Sequence, residues 1–220
     1  MGGPVSIYYQ DDYVTLIHGD CRDEDAWESA HLLLTDPPFG IAWTPRTGTA
    51  KHKAIVNDSD TAARDYVIGQ WGHIKPAYVF GSPLLAPPHG TKQTLVWRKP
   101  GDAGLTGQIG GWRRDWEAIY MLGNWPHDAR PLKSSVIATN VGTTTYQNGH
   151  AHGKPVALLE VLLMAAPGGT VADPFAGSGS TLIAARNVGR KAIGVEFEER
   201  YCETIARRLD QQCLNFEVGA

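Results

Sequence analysis

Four short apolar runs in this chain each end at a carboxylate. Val14-Thr-Leu-Ile-His18 leads into Gly19-Asp20, His31-Leu-Leu-Leu-Thr35 into Asp36, Thr170-Val-Ala172 into Asp173, and Lys191-Ala-Ile-Gly-Val195 into Glu196. Runs this short, rich in Leu, Ile and Val and bounded by Gly, Pro or Asp, predict buried strands. Helical spacing of apolar positions appears over the acidic stretch Asp23 to Ala30, from about Asp60 to Trp71, from near Ser180 onward, and from Glu198 to Leu209. Strands alternating with helices predict an α/β fold with a mostly parallel sheet. Ligands of such open sheets sit beyond the carboxyl ends of the strands, so Asp20, Asp36, Asp173 and Glu196 are expected to converge on one crevice.

Three further runs, Tyr78-Val-Phe-Gly81, Gln93 to Trp97 and Trp116 to Leu122, bring the expected sheet to seven strands, the last two as an antiparallel edge hairpin. Between the second carboxylate and the helix near Asp60, residues 41–60 are polar, with Arg46, Lys51, His52 and Lys53 around Gly48. No apolar period pins them to a core, so they read as a long mobile loop beside Asp36, placed to contact a polyanion. After Glu196 only about two dozen residues remain, enough for one helix and a tail. The rest of the sheet around the last two strands must therefore come from the N-terminal half. The strand ending at Asp20 is expected beyond the one ending at Glu196, and the strand ending at Asp36 on the far side of the one ending at Asp173.

Thr170 to Thr181 is a strand, a turn with Gly177 and Gly179, and a helix start, which lets a ligand approach the backbone and the helix N–H groups. The turn has no Gly-Lys-Ser/Thr, and position 182 is Leu where a dinucleotide fingerprint has its third glycine, which excludes a P-loop and weakens a nicotinamide reading. Glu196, closing the next strand, is placed to accept hydrogen bonds from two ribose hydroxyls, and Asp173 suits a cationic group. S-adenosylmethionine, with an amino group, a sulfonium and an adenosine, meets both demands.

Asp36-Pro37-Pro38-Phe39 carries a different chemistry. Two prolines stiffen the loop and remove two N–H groups, leaving a carboxylate and carbonyls as acceptors. Together they can receive both hydrogens of an exocyclic amino group, while Phe39 stacks on the ring that bears it.

Composition narrows the setting. With 220 residues, 42% of them hydrophobic, the chain is expected to form one domain. It has no apolar run of membrane-spanning length and no signal-like N-terminus, which points to the cytoplasm. Cys21, Cys202 and Cys213 have no metal-ligand spacing and read as reduced thiols, so no metal is expected. The net charge of −3 conceals a segregation: residues 41–150 hold 12 Lys and Arg against 7 Asp and Glu, while the flanks are acidic. A basic middle suits nucleic acid. Of the seven Trp, Trp97 and Trp116 read as core and Trp43 as the loop-borne stacking candidate.

The pair Asp36-Pro-Pro-Phe39 and Asp173-Pro-Phe-Ala-Gly-Ser-Gly-Ser-Thr181 resembles the amino-group DNA methyltransferases that act on adenine N6 or cytosine N4. Its order, amine loop first and cofactor loop last, is similar to their permuted β class. The resemblance spans roughly residues 14–210. It implies a doubly wound, circularly permuted, S-adenosylmethionine-dependent methyltransferase fold, with S-adenosylhomocysteine as product, DNA as partner and no membrane. A homodimer and a restriction-modification, orphan or phage setting all stay open. The implied catalytic residues are Asp36, Pro37, Pro38 and Phe39. The implied cofactor contacts are Asp20, Cys21, Asp36, Asp173, Phe175, Gly177, Ser178, Gly179, Ser180, Thr181, Glu196 and Phe197. His150, Lys154 and Pro155 match the family's segment beside the cofactor methionine, whereas positions 151–153 depart from it. Nucleic acid is assigned to Arg46, Lys51, Lys53, Arg98, Lys99, Arg113 and Arg114, with residues 123–151 as a short target-recognition region.

Asp at the head of the amine loop favours adenine among family members. Transfer to carbon 5 of cytosine is disfavoured, because no cysteine here follows a proline. A cytosine-N4 enzyme and an RNA or protein-amide methyltransferase with a similar loop are the alternatives. A nicotinamide oxidoreductase or a non-catalytic nucleotide-binding module is the bland reading.

Overall fold

The computed structural model describes residues 6–40, 60–101, 108–126, 133–139 and 153–217, without the side chains of 212–217. The strands are β1 (Ile7–Gln10), β2 (Val14–His18), β3 (Leu32–Thr35), β4 (Ala77–Gly81), β5 (Gln93–Arg98), β6 (Trp116–Leu122), β7 (Val136–Ala138), β8 (Val171–Asp173) and β9 (Ala192–Glu196). The α-helices are α1 (Ala62–Trp71), α2 (Val156–Ala165), α3 (Ser180–Asn187) and α4 (Glu199–Glu217). Two compact units divide them, residues 1–35 with 152–220, and residues 36–151.

In the first unit the strand order is β1-β2-β9-β8-β3, and β2, β9, β8 and β3 run parallel. This order places the strand before Asp20 beside the one ending at Glu196, and the strand before Asp36 beside the one ending at Asp173, as expected. Every residue of β3 and β8 is buried, which is why these strands read as unbroken apolar runs and not as alternations. α4 turns Cys202, Ile205 and Leu209 inward at helical spacing, all fully buried. α2 buries Leu158, Leu159, Leu162 and Leu163. It carries no periodic signal because its sequence, Val-Ala-Leu-Leu-Glu-Val-Leu-Leu-Met-Ala, is apolar on nearly every side.

Close packing between α3 and the sheet depends on a glycine on the strand side. A Cβ at Gly194 would lie 2.8 Å from Leu182 Cδ1 and 3.2 Å from the Ala176 Cβ, and Leu182 is fully buried with nowhere to retreat. The small residue that a dinucleotide fold places on its helix is here exchanged for a Leu, with the gap supplied by Gly194. Gly194→Val is expected to cost about 1–3 kcal/mol by overpacking, read as a lowered urea midpoint. An unchanged midpoint would show that α3 can shift away from the sheet.

The second unit is an antiparallel ladder, β4-β6-β5, with β7 added parallel to β5. Trp97 is buried on β5 and donates its indole N–H to Thr139 Oγ1 at 3.1 Å, tying β5 to the residue after β7. Gly81 is required by its neighbour: a Cβ there would fall 2.5 Å from Cε2 of Tyr120. Gly40 and Asp60, the described residues flanking 41–59, lie together, since a Cβ on Gly40 would meet the Asp60 carbonyl carbon at 2.6 Å.

Several expectations are corrected. Nine strands are described where seven are expected, the additions being β1, antiparallel to β2, and the three-residue β7. Because β7 pairs with β5, the hairpin of β5 and β6 does not form the edge. Asp23 to Ala30 forms only a 3-10 turn over Ala26–Ser29, where buried Trp27 donates to the Cys21 carbonyl at 3.2 Å and draws the segment tight. Trp116 is 39% exposed and not a core residue, whereas Trp97 is buried as expected. No helix among the described residues is long and apolar enough to cross a membrane.

Candidate active site

At the carboxyl ends of three neighbouring parallel strands in the first unit stand Asp20, Glu196 and Asp173. The register sets His18 against Glu196 and Asp173 against Gly194, and the Gly19 N–H donates to the Glu196 carbonyl at 3.0 Å. β3 lies on the other side of β8 and ends at Thr35, whose hydroxyl donates to Asp173 Oδ1 at 2.8 Å. Asp36 is the next residue in the chain and opens the second unit. Thr35 went unnoticed in the sequence. Its signal is a lone hydroxyl closing an otherwise aliphatic strand, and at 1% exposure that hydroxyl had to find a partner.

Asp173 is 2% exposed, and burial raises its carboxyl pKa despite hydrogen bonds from Thr181, Thr35 and the Phe175 N–H and despite the nearby charge of Lys154. A buried carboxylate in that condition favours a further cationic neighbour. Glu196 receives one backbone N–H on each oxygen, Gly177 on Oε2 at 2.7 Å and Glu198 on Oε1 at 2.8 Å. Those bonds hold the carboxylate against the glycine turn and still leave lone pairs for a donor. Burial outweighs them and pushes its pKa from 4.5 up to about 7.

A pH dependence of stability follows from Glu196. Between 4.5 and about 7 the folded chain holds a proton on this group that the unfolded chain has lost, so stability falls as pH rises through that window. The loss attributable to Glu196 is as much as about 3 kcal/mol. Urea unfolding across this range should show the decline in the wild-type protein and a flatter profile in Glu196→Gln. Parallel profiles would remove Glu196 as its source.

The glycine turn is shaped for close approach. Gly177 and Gly179 have φ of +52° and +78°, and no side chain caps α3, whose N-cap is Gly179. A Cβ at Gly179 would press within 2.8 Å of Ile205 Cγ1. Ser178 and Ser180 hydroxyls lie 3.1 Å apart, and Arg208 donates to the Ser178 carbonyl, a contact the sequence did not suggest. Gly153 accounts for one departure from the family pattern: a Cβ there would sit 2.8 Å from Ser178 Oγ, so a larger residue would push on the turn. Lys154 comes next, half-buried, and Pro155 caps α2.

At the other side of β9, Asp20 is already engaged. Its carboxylate takes the Arg22 N–H at 3.0 Å and the Arg22 guanidinium at 2.9 Å, which holds its pKa low. Cys21 is buried, and burial pushes its thiol up to about 12, so it is a neutral wall and not a nucleophile. Phe197 is 56% exposed on the segment leaving β9. His18 Nε2 donates to its carbonyl at 3.2 Å, a positioning contact that the sequence hid because the two are far apart in the chain.

In the second unit Pro37 is buried while Asp36, Pro38 and Phe39 are half-buried. Of the basic candidates there, Lys99 pairs with Glu117 at 2.6 Å and Arg113 reaches Asp115 at 3.4 Å, while Arg98 and Arg114 are exposed. Trp43, Arg46, Lys51, Lys53 and His150 lie outside the described residues, as does much of 123–151.

The donor set fits S-adenosylmethionine. A buried, hydrogen-bonded Glu196 with lone pairs to spare, an Asp173 that burial leaves short of positive charge, and an uncapped helix start built on two positive-φ glycines lie within one unit.

Comparison with known proteins places this geometry. The family described as DNA methylase, of N6 and N4 type, matches residues 49–207. The type II methyltransferase M.SmaI of Serratia marcescens is 31% identical over 97 residues, 43% of this chain and 32% of that protein. The DNA adenine methyltransferase YhdJ of Escherichia coli K12 is 46% identical over 67 residues, 30% of this chain and 22% of that protein. The matched stretches thus span about a third or less of these relatives. Among solved structures, the M1.HpyAVI–SAM complex superposes with a TM-score of 0.59 at 20% identity, covering 89% of this chain and 99% of that one. The cytosine-N4-specific PvuII DNA methyltransferase does so with a TM-score of 0.66 at 16% identity, covering 92% and 88%. These two likenesses speak to the fold. With the family match covering most of its length, the chain belongs to the N6/N4 DNA methylase family.

Proposed function

We propose that this chain transfers a methyl group from S-adenosylmethionine to the exocyclic amine of a DNA base drawn out of its stack, adenine N6 ahead of cytosine N4. The observation that carries the reading is the hydrogen bond that anchors the end of β3 to the cofactor motif. Thr35 donates to Asp173 at 2.8 Å, and the very next residue begins Asp36-Pro-Pro-Phe39. That hydrogen bond holds the end of β3, from which the chain continues into the amine loop.

When bound, S-adenosylmethionine supplies an electrophilic methyl on a sulfonium. Glu196 would accept hydrogen bonds from the ribose hydroxyls, and Asp173 would face the positive charge. Cys21 and Phe197 would wall the adenine, and the Gly177–Thr181 turn would bring backbone N–H groups close. The Asp36 carboxylate and Pro37 carbonyl accept the two amine hydrogens of the target base. This draws lone-pair density onto nitrogen as it turns tetrahedral, and Asp36 balances the positive charge that builds as the nitrogen–methyl bond forms and the carbon–sulfur bond breaks; the methylated nitrogen then sheds one proton to solvent. Phe39 stacks on the ring, replacing the stacking lost when the base leaves the duplex. Held neutral, Cys21 and Cys202 take no part.

The adenine preference rests on Asp36 at the head of its loop and on the name of one relative, a DNA adenine methyltransferase; a cytosine-N4-specific enzyme among the similar folds supports the alternative. Nucleoside analysis of unmethylated DNA treated with the protein and S-adenosylmethionine is expected to yield N6-methyladenine. N4-methylcytosine alone would reverse the preference while keeping the mechanism.

A further inference from the structure

The hairpin turn before β6 displays an aromatic ring with unusual openness. Ile109 and Trp112 pair across it with N–H to carbonyl distances of 3.1 and 3.0 Å. The two central residues, Gly110 and Gly111, have φ of +56° and +82°, the left-handed pair that a tight two-residue hairpin turn requires. Nothing lies within 4 Å of a Cβ built on either glycine, so they are there for backbone shape and not for packing. The turn is therefore set by its two backbone hydrogen bonds and by the left-handed glycines. On it Trp112 is 83% exposed and Ile109 69% exposed, and the chain continues directly into Arg113 and Arg114, both exposed. In the separate ladder of β5 and β6, Arg98 stands opposite Trp116 in the register, both on the solvent side, while neighbouring Trp97 points into the core.

Trp112 and Ile109, paired across the turn, both present large apolar side chains to solvent, a patch that marks a contact site. The chemistry around it selects the partner. Guanidinium groups beside an indole match phosphates beside base faces, and the segment 41–150 carries twelve basic against seven acidic residues. Resting on the reading of this chain as a DNA-modifying enzyme, we propose that the Ile109–Arg114 hairpin is a DNA-contacting wedge. Trp112 stacks on a base, while Arg98 and Arg114 bind flanking phosphates. Such a ring lowers the cost of unstacking that base extrusion imposes.

The test separates stacking from charge. DNA affinity is measured by fluorescence anisotropy on an unmethylated duplex over a series of salt concentrations, with S-adenosylmethionine affinity measured alongside. Trp112→Ala is expected to weaken DNA binding by about 5- to 150-fold with an unchanged salt slope, and Trp112→Phe to retain most of the affinity. Arg98→Ala with Arg114→Ala is expected to lower the slope of log affinity against log salt by up to about 2. Cofactor affinity and thermal midpoint should not move, since Trp112 touches no core. Wild-type DNA affinity in Trp112→Ala would overturn the wedge alone. A wild-type protein that binds cofactor but no DNA would overturn both this inference and the function it rests on. If Trp112→Ala instead dissolves a dimer or abolishes binding to anionic lipid vesicles, with DNA binding intact, the hairpin serves another partner and the proposal fails.

Discussion

Asp36→Ala is expected to lose at least about 100-fold in methyl transfer while S-adenosylmethionine still binds, the scale of removing one key electrostatic group from a transition state. Asp36 heads a loop stiffened by buried Pro37, so the change removes an acceptor without loosening the rest of the loop. The preceding residue, Thr35, keeps its bond to Asp173, and the cofactor unit should therefore be intact. Asp36→Asn refines the experiment. An amide oxygen can still accept one hydrogen of the amine, but the charge that balances the developing cation is gone, so Asn should fall between wild type and Ala. Single-turnover rates with saturating cofactor read the effect. A near wild-type rate in Asp36→Ala would end the proposed mechanism.

Glu196→Ala is expected to weaken cofactor binding by roughly 1.5–3 kcal/mol, the range for hydrogen bonds to a charged group. The expected cost extends beyond the proposed ribose contact. The same carboxylate holds the Gly177 N–H and the Glu198 N–H, so its removal also releases the glycine turn and the start of the following helix. Calorimetry should further show affinity rising with pH toward the Glu196 value of about 7, because donors from the ribose favour the ionised form. Unchanged affinity at all pH values would reduce Glu196 to a residue that only ties the turn.

Strand ends were the legible part of this chain. Fully buried parallel strands must be apolar from end to end, so β3 and β8 announce themselves, and a carboxylate after each marks the ligand-facing edge. The order β2, β9, β8 and β3 agrees with the one expected for strands that each end at a carboxylate. α2 escaped because an all-round apolar helix has no period, and β1 and β7 because edge pieces of four and three residues bury too little to leave a pattern. Contacts between residues distant in sequence, such as His18 with Phe197 and Arg208 with Ser178, have no local signature. The Arg22 clasp on Asp20 is local, but it depends on a rotamer that sequence does not specify. Trp112 was masked by a sound general rule, that tryptophan is usually buried, and only its position beyond two positive-φ glycines exempts it.

Labelled methyl transfer tests the central claim most directly. S-adenosylmethionine carrying a labelled methyl is offered with the protein to unmethylated duplex DNA, to RNA and to protein, and each fraction is digested and resolved. The account predicts label in DNA, on the exocyclic amine of adenine or cytosine, and its loss with Asp36→Ala. Label confined to RNA or protein, or on carbon 5 of cytosine, would contradict it.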